Sequence, residues 1–72
     1  MKYFKFTNHT LILPIEYEFI TDDSITEKEL IKWFKKTYKP SFFQSVEEVS
    51  RDEIDILWAI RLIKENGKIK CA

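Results

Sequence analysis

His9 and Cys71 are the chain's single histidine and single cysteine, and together they could make a thiol–imidazole dyad. Such a dyad works by lowering the thiol pKa and passing a proton through the imidazole. His9 falls in a turn between two apolar runs, with no carboxylate beside it in sequence to orient the ring. Cys71 is the penultimate residue, a poor place to hold a thiolate. Both read as surface positions, and no catalytic residue is assigned. One His and one Cys also fall short of a structural zinc site. The pairs Asp22-Asp23 and Glu47-Glu48 lack the loop spacing and the glycine of a calcium hand. Each precedes an expected helix start, where the helix dipole favours negative charge. With one glycine, Gly67, the chain cannot build a glycine-rich phosphate cradle. No metal and no cofactor is expected. Glu16 and Glu18 share a strand face at about 7 Å, near the separation of paired acids in glycoside hydrolysis. Acids at alternate positions are also what any wet strand face looks like, and that account is the simpler one.

What remains is chemistry of contact. Lys28, Lys32, Lys35, Lys36 and Lys39 fall on one arc of a helical wheel, where they could track a phosphate backbone. Trp33 sits at the border of that arc, as a stacking residue would. No arginine lies on the same stretch to read base edges. The acids form a second block: residues 16–29 carry a net −5, from Glu16, Glu18, Asp22, Asp23, Glu27 and Glu29 against Lys28 alone. A compact acidic rim of this kind suits a basic groove on a partner protein. The loop Lys39-Pro40-Ser41-Phe42-Phe43-Gln44 puts two aromatics side by side. One is expected to plug the core and the other to stand exposed as an anchor. Trp58 is a further candidate anchor.

The elements that position these residues can be read from periodicity. Phe4 and Phe6 share one parity, and Leu11, Leu13, Ile15, Tyr17 and Phe19 share another across a turn. A two-residue loop at Asn8-His9 would pair Phe6 with Leu11 and Phe4 with Leu13, giving a β-hairpin with one apolar face. Lys5, Glu16 and Glu18 then face solvent. Thr26 and Glu29 spell a capping box, with Ile25 and Leu30 as its hydrophobic staple. The helix they start runs over residues 27–38 and stops at Pro40. It buries Leu30, Ile31, Phe34 and Tyr38.

Ser50, Glu53, Val49 and Ile54 repeat the same start signal. With Gly67 as the terminating left-handed residue, they predict a second helix over 51–66. The same stretch also alternates at Ile54, Ile56, Trp58, Ile60 and Leu62, and Asn66-Gly67 is a hairpin turn signal. The helix is favoured because both of its ends carry signals. The tail Lys68-Ile69-Lys70-Cys71 returns as a short strand.

Seventy-two residues make one domain, residues 1–72. The 12 basic and 12 acidic side chains cancel, which argues against a strongly basic nucleic-acid binder. A lone cysteine argues against a disulfide scaffold and for a reducing, cytoplasmic setting. No apolar run reaches membrane-span length. In size, in Lys/Ile/Phe-rich composition and in poverty of reactive groups the chain resembles small accessory proteins of phages and mobile elements. That likeness implies binding to a host protein and assigns no residue. The expectation is therefore an α+β domain: an N-terminal antiparallel hairpin packed against two amphipathic helices, with a short C-terminal third strand. It would be a monomer or homodimer, and a non-enzymatic inhibitor or adaptor. Its protein partner would be bound through Trp33, Phe42, Phe43, Trp58, Glu16, Glu18, Asp22 and Asp23. The alternative is a nucleic-acid binder working through Lys28, Lys32, Lys35, Lys36 and Lys39.

Overall fold

The computed structural model describes residues 1–40 and 42–72; Ser41 lies outside the described residues. These form β1 (Lys2–Asn8), β2 (Ile15–Thr21), α1 (Glu27–Tyr38), β3 (Gln44–Val49), β4 (Ile60–Glu65) and β5 (Lys68–Cys71), with a single 3₁₀ turn at Arg51–Glu53. The strands make one sheet in the order β3-β1-β2-β4-β5. Neighbours are antiparallel except β2 and β4, which run parallel.

One sheet face is aromatic because the register makes it so. Phe4 sits opposite Phe19, and Phe6 opposite Tyr17 on one side and Val46 on the other. Helix α1 lies on this face and delivers Leu30 and Phe34, both fully buried. The rings interlock: Phe6 meets Phe34 at 4.5 Å, Phe19 edge-on at 5.6 Å, and Tyr17 meets Phe34 at 5.4 Å. Large flat side chains fill a small core with few rotatable bonds, so a thin molecule, 17 Å in its least dimension, still has a dry centre.

Both signals at the start of α1 are realised. Thr26 Oγ1 accepts from Glu29 N at 3.2 Å, and Glu29 Oε1 accepts from Thr26 N at 3.1 Å. Ile25 and Leu30 are both fully buried in the core, as a staple requires. The helix ends at Lys39, in the left-handed region at φ 48°, whose N–H bonds Lys35 O at 3.0 Å.

The expected second helix does not form. The fold is a mixed five-stranded sheet covered by one helix, rather than a hairpin beneath two. At its start Glu53 does reach back to Ser50 N at 2.8 Å, but it closes only one 3₁₀ turn before Ile54 becomes extended. The reason lies in β2. Its edge at Phe19–Thr21 flanks the core, and backbone groups there need partners. Ile60–Leu62 supplies them as a parallel strand and buries Leu62 at the same time. The Asn66-Gly67 pair then makes a hairpin turn instead of ending a helix. Both residues have positive φ, 52° and 76°, as a type I′ turn demands.

The N-terminal hairpin exists with a different register. Phe6 pairs with Tyr17 and Phe4 with Phe19, so Leu11 and Leu13 are not in the sheet. Residues 9–14 form the connection instead. Pro14 has no N–H to give a ladder, and β2 begins directly after it. The shift is an even number of residues, so the parity that sends Tyr17 and Phe19 to the core survives. Chain segment 50–59 crosses the second sheet face. There Asp55 N donates to Glu18 Oε1 at 2.9 Å, and Ile20 and Ile54 are buried. No helix among the described residues is long and apolar enough to cross a membrane.

Candidate functional site

At one end of the sheet, β1 finishes, β2 and β3 begin, and α1 terminates. The connection at this end holds three consecutive aliphatic side chains in solvent: Leu11 at 84% exposure, Ile12 at 89% and Leu13 at 70%. Their display is built rather than slack. Thr10 Oγ1 accepts from Leu13 N at 3.2 Å and donates to Leu13 O at 2.6 Å. The turn thus satisfies its own backbone and leaves the side chains pointing away.

His9 fastens that connection to β3. Its N–H donates to Phe43 O at 3.0 Å, its ring stacks on Phe43 at a centroid distance of 4.2 Å, and Nε2 lies 3.0 Å from Ser45 Oγ. Phe43 remains mostly exposed even so, and Phe42, Ile15 and Tyr38 are exposed as well. The expectation that one of Phe42 and Phe43 would plug the core fails. The aromatic core is already closed by residues of β1, β2 and α1, which leaves no room for either.

Beneath this end lies an unfinished polar group. Gln44 is nine-tenths buried. Its Nε2 donates to Asn8 Oδ1 at 3.0 Å and to Phe42 O at 2.6 Å. Its Oε1 has no partner among the described residues. A buried acceptor left open costs free energy until some donor reaches it.

The other expected contact residues divide sharply. Trp58 stands in solvent on the turn held by Asp55, whose carbonyl accepts from Trp58 N at 3.1 Å and Ala59 N at 2.9 Å. Trp58 flanks Glu16 and Tyr17 along the half of β2 that β4 does not reach. Glu16 is exposed, whereas Glu18 is engaged by Asp55. Trp33 packs edge-on against Phe19 and Tyr38, each at 5.9 Å, and is half-buried. Asp22 Oδ2 accepts from Lys64 N at 2.8 Å, tying the end of β2 to β4. Asp23 pairs with the Met1 ammonium at 2.7 Å, which holds its carboxyl below the usual aspartate range. These last two acids do structural work at the far end of the sheet from Leu11–Leu13.

The four lysines of α1 and Lys39 at its C-cap are all exposed, but they do not act as one group. Lys35 and Lys39 lie near the apolar end, and Lys28 near the opposite one. Lys32 and Lys36 border a groove shared with the β4–β5 hairpin. The far end carries an ion pair of its own. Lys64 Nζ meets Glu29 Oε2 at 2.6 Å, and this contact with the Thr26 hydrogen bonds holds the Glu29 carboxyl below the ordinary glutamate range.

His9 and Cys71 are kept apart. Cys71 pairs with Leu62, level with Thr21, while His9 follows Asn8, which pairs with Ile15. Six residues of strand, about 20 Å, separate those levels. No group of His, Cys, Asp and Glu among the described residues is arranged to hold a metal ion.

Leu11, Ile12 and Leu13 are the positions that periodicity missed, and a signal for them existed. Ile12 breaks the alternation that a one-faced strand requires, and Pro14 follows immediately. No family model matches the chain, and no match is found among curated proteins or solved structures.

Proposed function

We propose that this chain is a non-enzymatic protein-interaction module that docks through its apolar end. The observation that carries this reading is the Thr10-closed turn holding Leu11, Ile12 and Leu13 in water beside Phe43. Apolar surface on the order of a few hundred Å², concentrated at one spot of a small protein, marks an interaction site. The exposed side chains stand out from the turn, and the nearby end of α1 is basic, with Lys35 and Lys39. A partner that offers an apolar groove with an acidic rim complements both features. Phe42 and Phe43 are the aromatic anchors at this end, and Trp58 extends the contact along β2. Such a module acts by occupancy, as a small inhibitor or adaptor does. Cys71 is an exposed free thiol, which suits a reducing compartment such as the cytoplasm.

The test is a map of what touches the end. A photo-crosslinking residue is placed at Ile12 in one preparation and at Asp23, at the opposite end, in another. The account expects Ile12 to join one protein species in host lysate, Asp23 to join none of it, and the product to vanish with Leu11→Ser. Adducts only with other copies of the chain, only with lipid, or equally from both positions would overturn it.

A further inference from the structure

Away from the apolar end, α1 and the β4–β5 hairpin enclose a groove of about 570 Å³. Its rim brings together Lys32 and Lys36 from the helix and Lys68 from β5, with Trp33 and Ile69 lining it. We infer that this groove binds a single strand of nucleic acid, with the three lysines on its phosphates and Trp33 against a base. The site is separate from the docking end, and neither depends on the other.

The charge is available. None of the three lysines makes an ion pair among the described residues; the ion pairs are Met1–Asp23, Lys64–Glu29 and Lys70–Glu65. The one acid on the rim, Glu29, is already neutralised by Lys64. Lys32 and Lys36 are one helical turn apart, about 6 Å, comparable to the spacing of successive phosphates along an extended strand. The aromatic is also available. Trp33 is fixed edge-on against Phe19 and Tyr38 and is only half-buried, so a rigid indole borders the charged track. A basic track beside an aromatic is how proteins bind single strands without reading sequence. The groove holds no arginine, whereas peptide phosphates are commonly gripped by arginine clusters and base edges by bidentate arginine. Lysines as point charges with a stacking ring fit a flexible strand better than either.

The groove also makes a distinction that a helical wheel cannot. Lys35 and Lys36 are neighbours, both exposed and both on the lysine-bearing side of α1, but only Lys36 borders the groove. A merely basic helix would lose equal affinity when either is reversed in charge.

Fluorescence anisotropy of a labelled thymidine oligonucleotide of ~10 residues tests the inference. The expected slope of log affinity against log salt is about −2, from three phosphate contacts. Lys36→Glu and Lys68→Glu should each weaken binding about tenfold at ~50 mM salt, and Lys35→Glu by less than about threefold. In a Trp58→Phe background, Trp33 emission should quench as the strand binds. All three lysine positions are exposed, and circular dichroism should show each variant folded as the parent is. Four results would each overturn the inference: no binding at ~50 mM salt; equal losses for Lys35→Glu and Lys36→Glu; a duplex of the same length bound as tightly; or tighter binding of a phosphoserine peptide.

Discussion

Two apolar residues of similar reputation have opposite roles in this chain. Phe34 is buried against Phe6, Tyr17 and Tyr38, so truncating it removes packing from the centre of the molecule. Phe34→Ala should cost about 3–5 kcal/mol, most of what a domain of this size has, and urea melts should show the chain largely unfolded. Ile12 touches mainly water. Ile12→Asp should leave stability within about 0.5 kcal/mol while removing the centre of the proposed contact, and the same melts check it. A hydrophobicity profile scores these two positions alike. What separates them in the sequence is context. Phe34 recurs with Leu30 at helical spacing, while Ile12 breaks a strand alternation just before a proline.

The capping signal marks where α1 begins, but local signals do not say how far an element runs. Thr26 and Glu29 mark the start of α1, and Thr26→Ala should lower stability by about 1 kcal/mol in thermal melts. Glu29 serves both the cap and Lys64, so its carboxyl is held below its ordinary range of about 4.3. A lowered folded-state pKa means that the contribution is complete above that range and is lost as pH falls below it, through the lowered value. Acid titration of stability should therefore show a smaller loss below about pH 4.3 in Glu29→Gln than in the parent. The helix ends on a non-glycine residue in the left-handed region, Lys39. Replacing it by glycine should raise stability by about 0.5–1 kcal/mol. Ser50 and Glu53 carry the same start signal, yet only one turn follows. A cap satisfies the first orphan N–H groups of a helix and says nothing about whether the residues beyond it are needed elsewhere. Here Ile60 and Leu62 are needed beside Phe19 and Thr21, a demand visible only when β2 is placed. The first helix, the short tail strand and the existence of a hairpin, though not its register, are legible because each depends on neighbours in sequence. The parallel pairing of β2 with β4 joins segments about forty residues apart and leaves no local trace.

As a whole, the molecule separates its work in space. One end holds Leu11, Ile12, Leu13 and Phe43 in water. The opposite end is stitched by Asp22, Asp23, Glu29 and Lys64 into internal bonds, which explains why acids expected to meet a partner are already engaged. Alongside that second end, between α1 and the β4–β5 hairpin, lies the groove of Lys32, Lys36 and Lys68. Charge blocks that cancel in the total thus differ in availability, and composition alone could not show which were free. Burying about 400 Å² of apolar surface at the exposed end would release about 10 kcal/mol before ordering costs, enough to sustain a specific complex and lost with very few substitutions. The decisive measurement is calorimetric titration of the protein joined to Ile12 by crosslinking, first against the parent chain and then against Ile12→Asp of equal stability. The account predicts a stoichiometric complex that weakens at least about a hundredfold, or about 2.7 kcal/mol, in the variant. Unchanged affinity would contradict it.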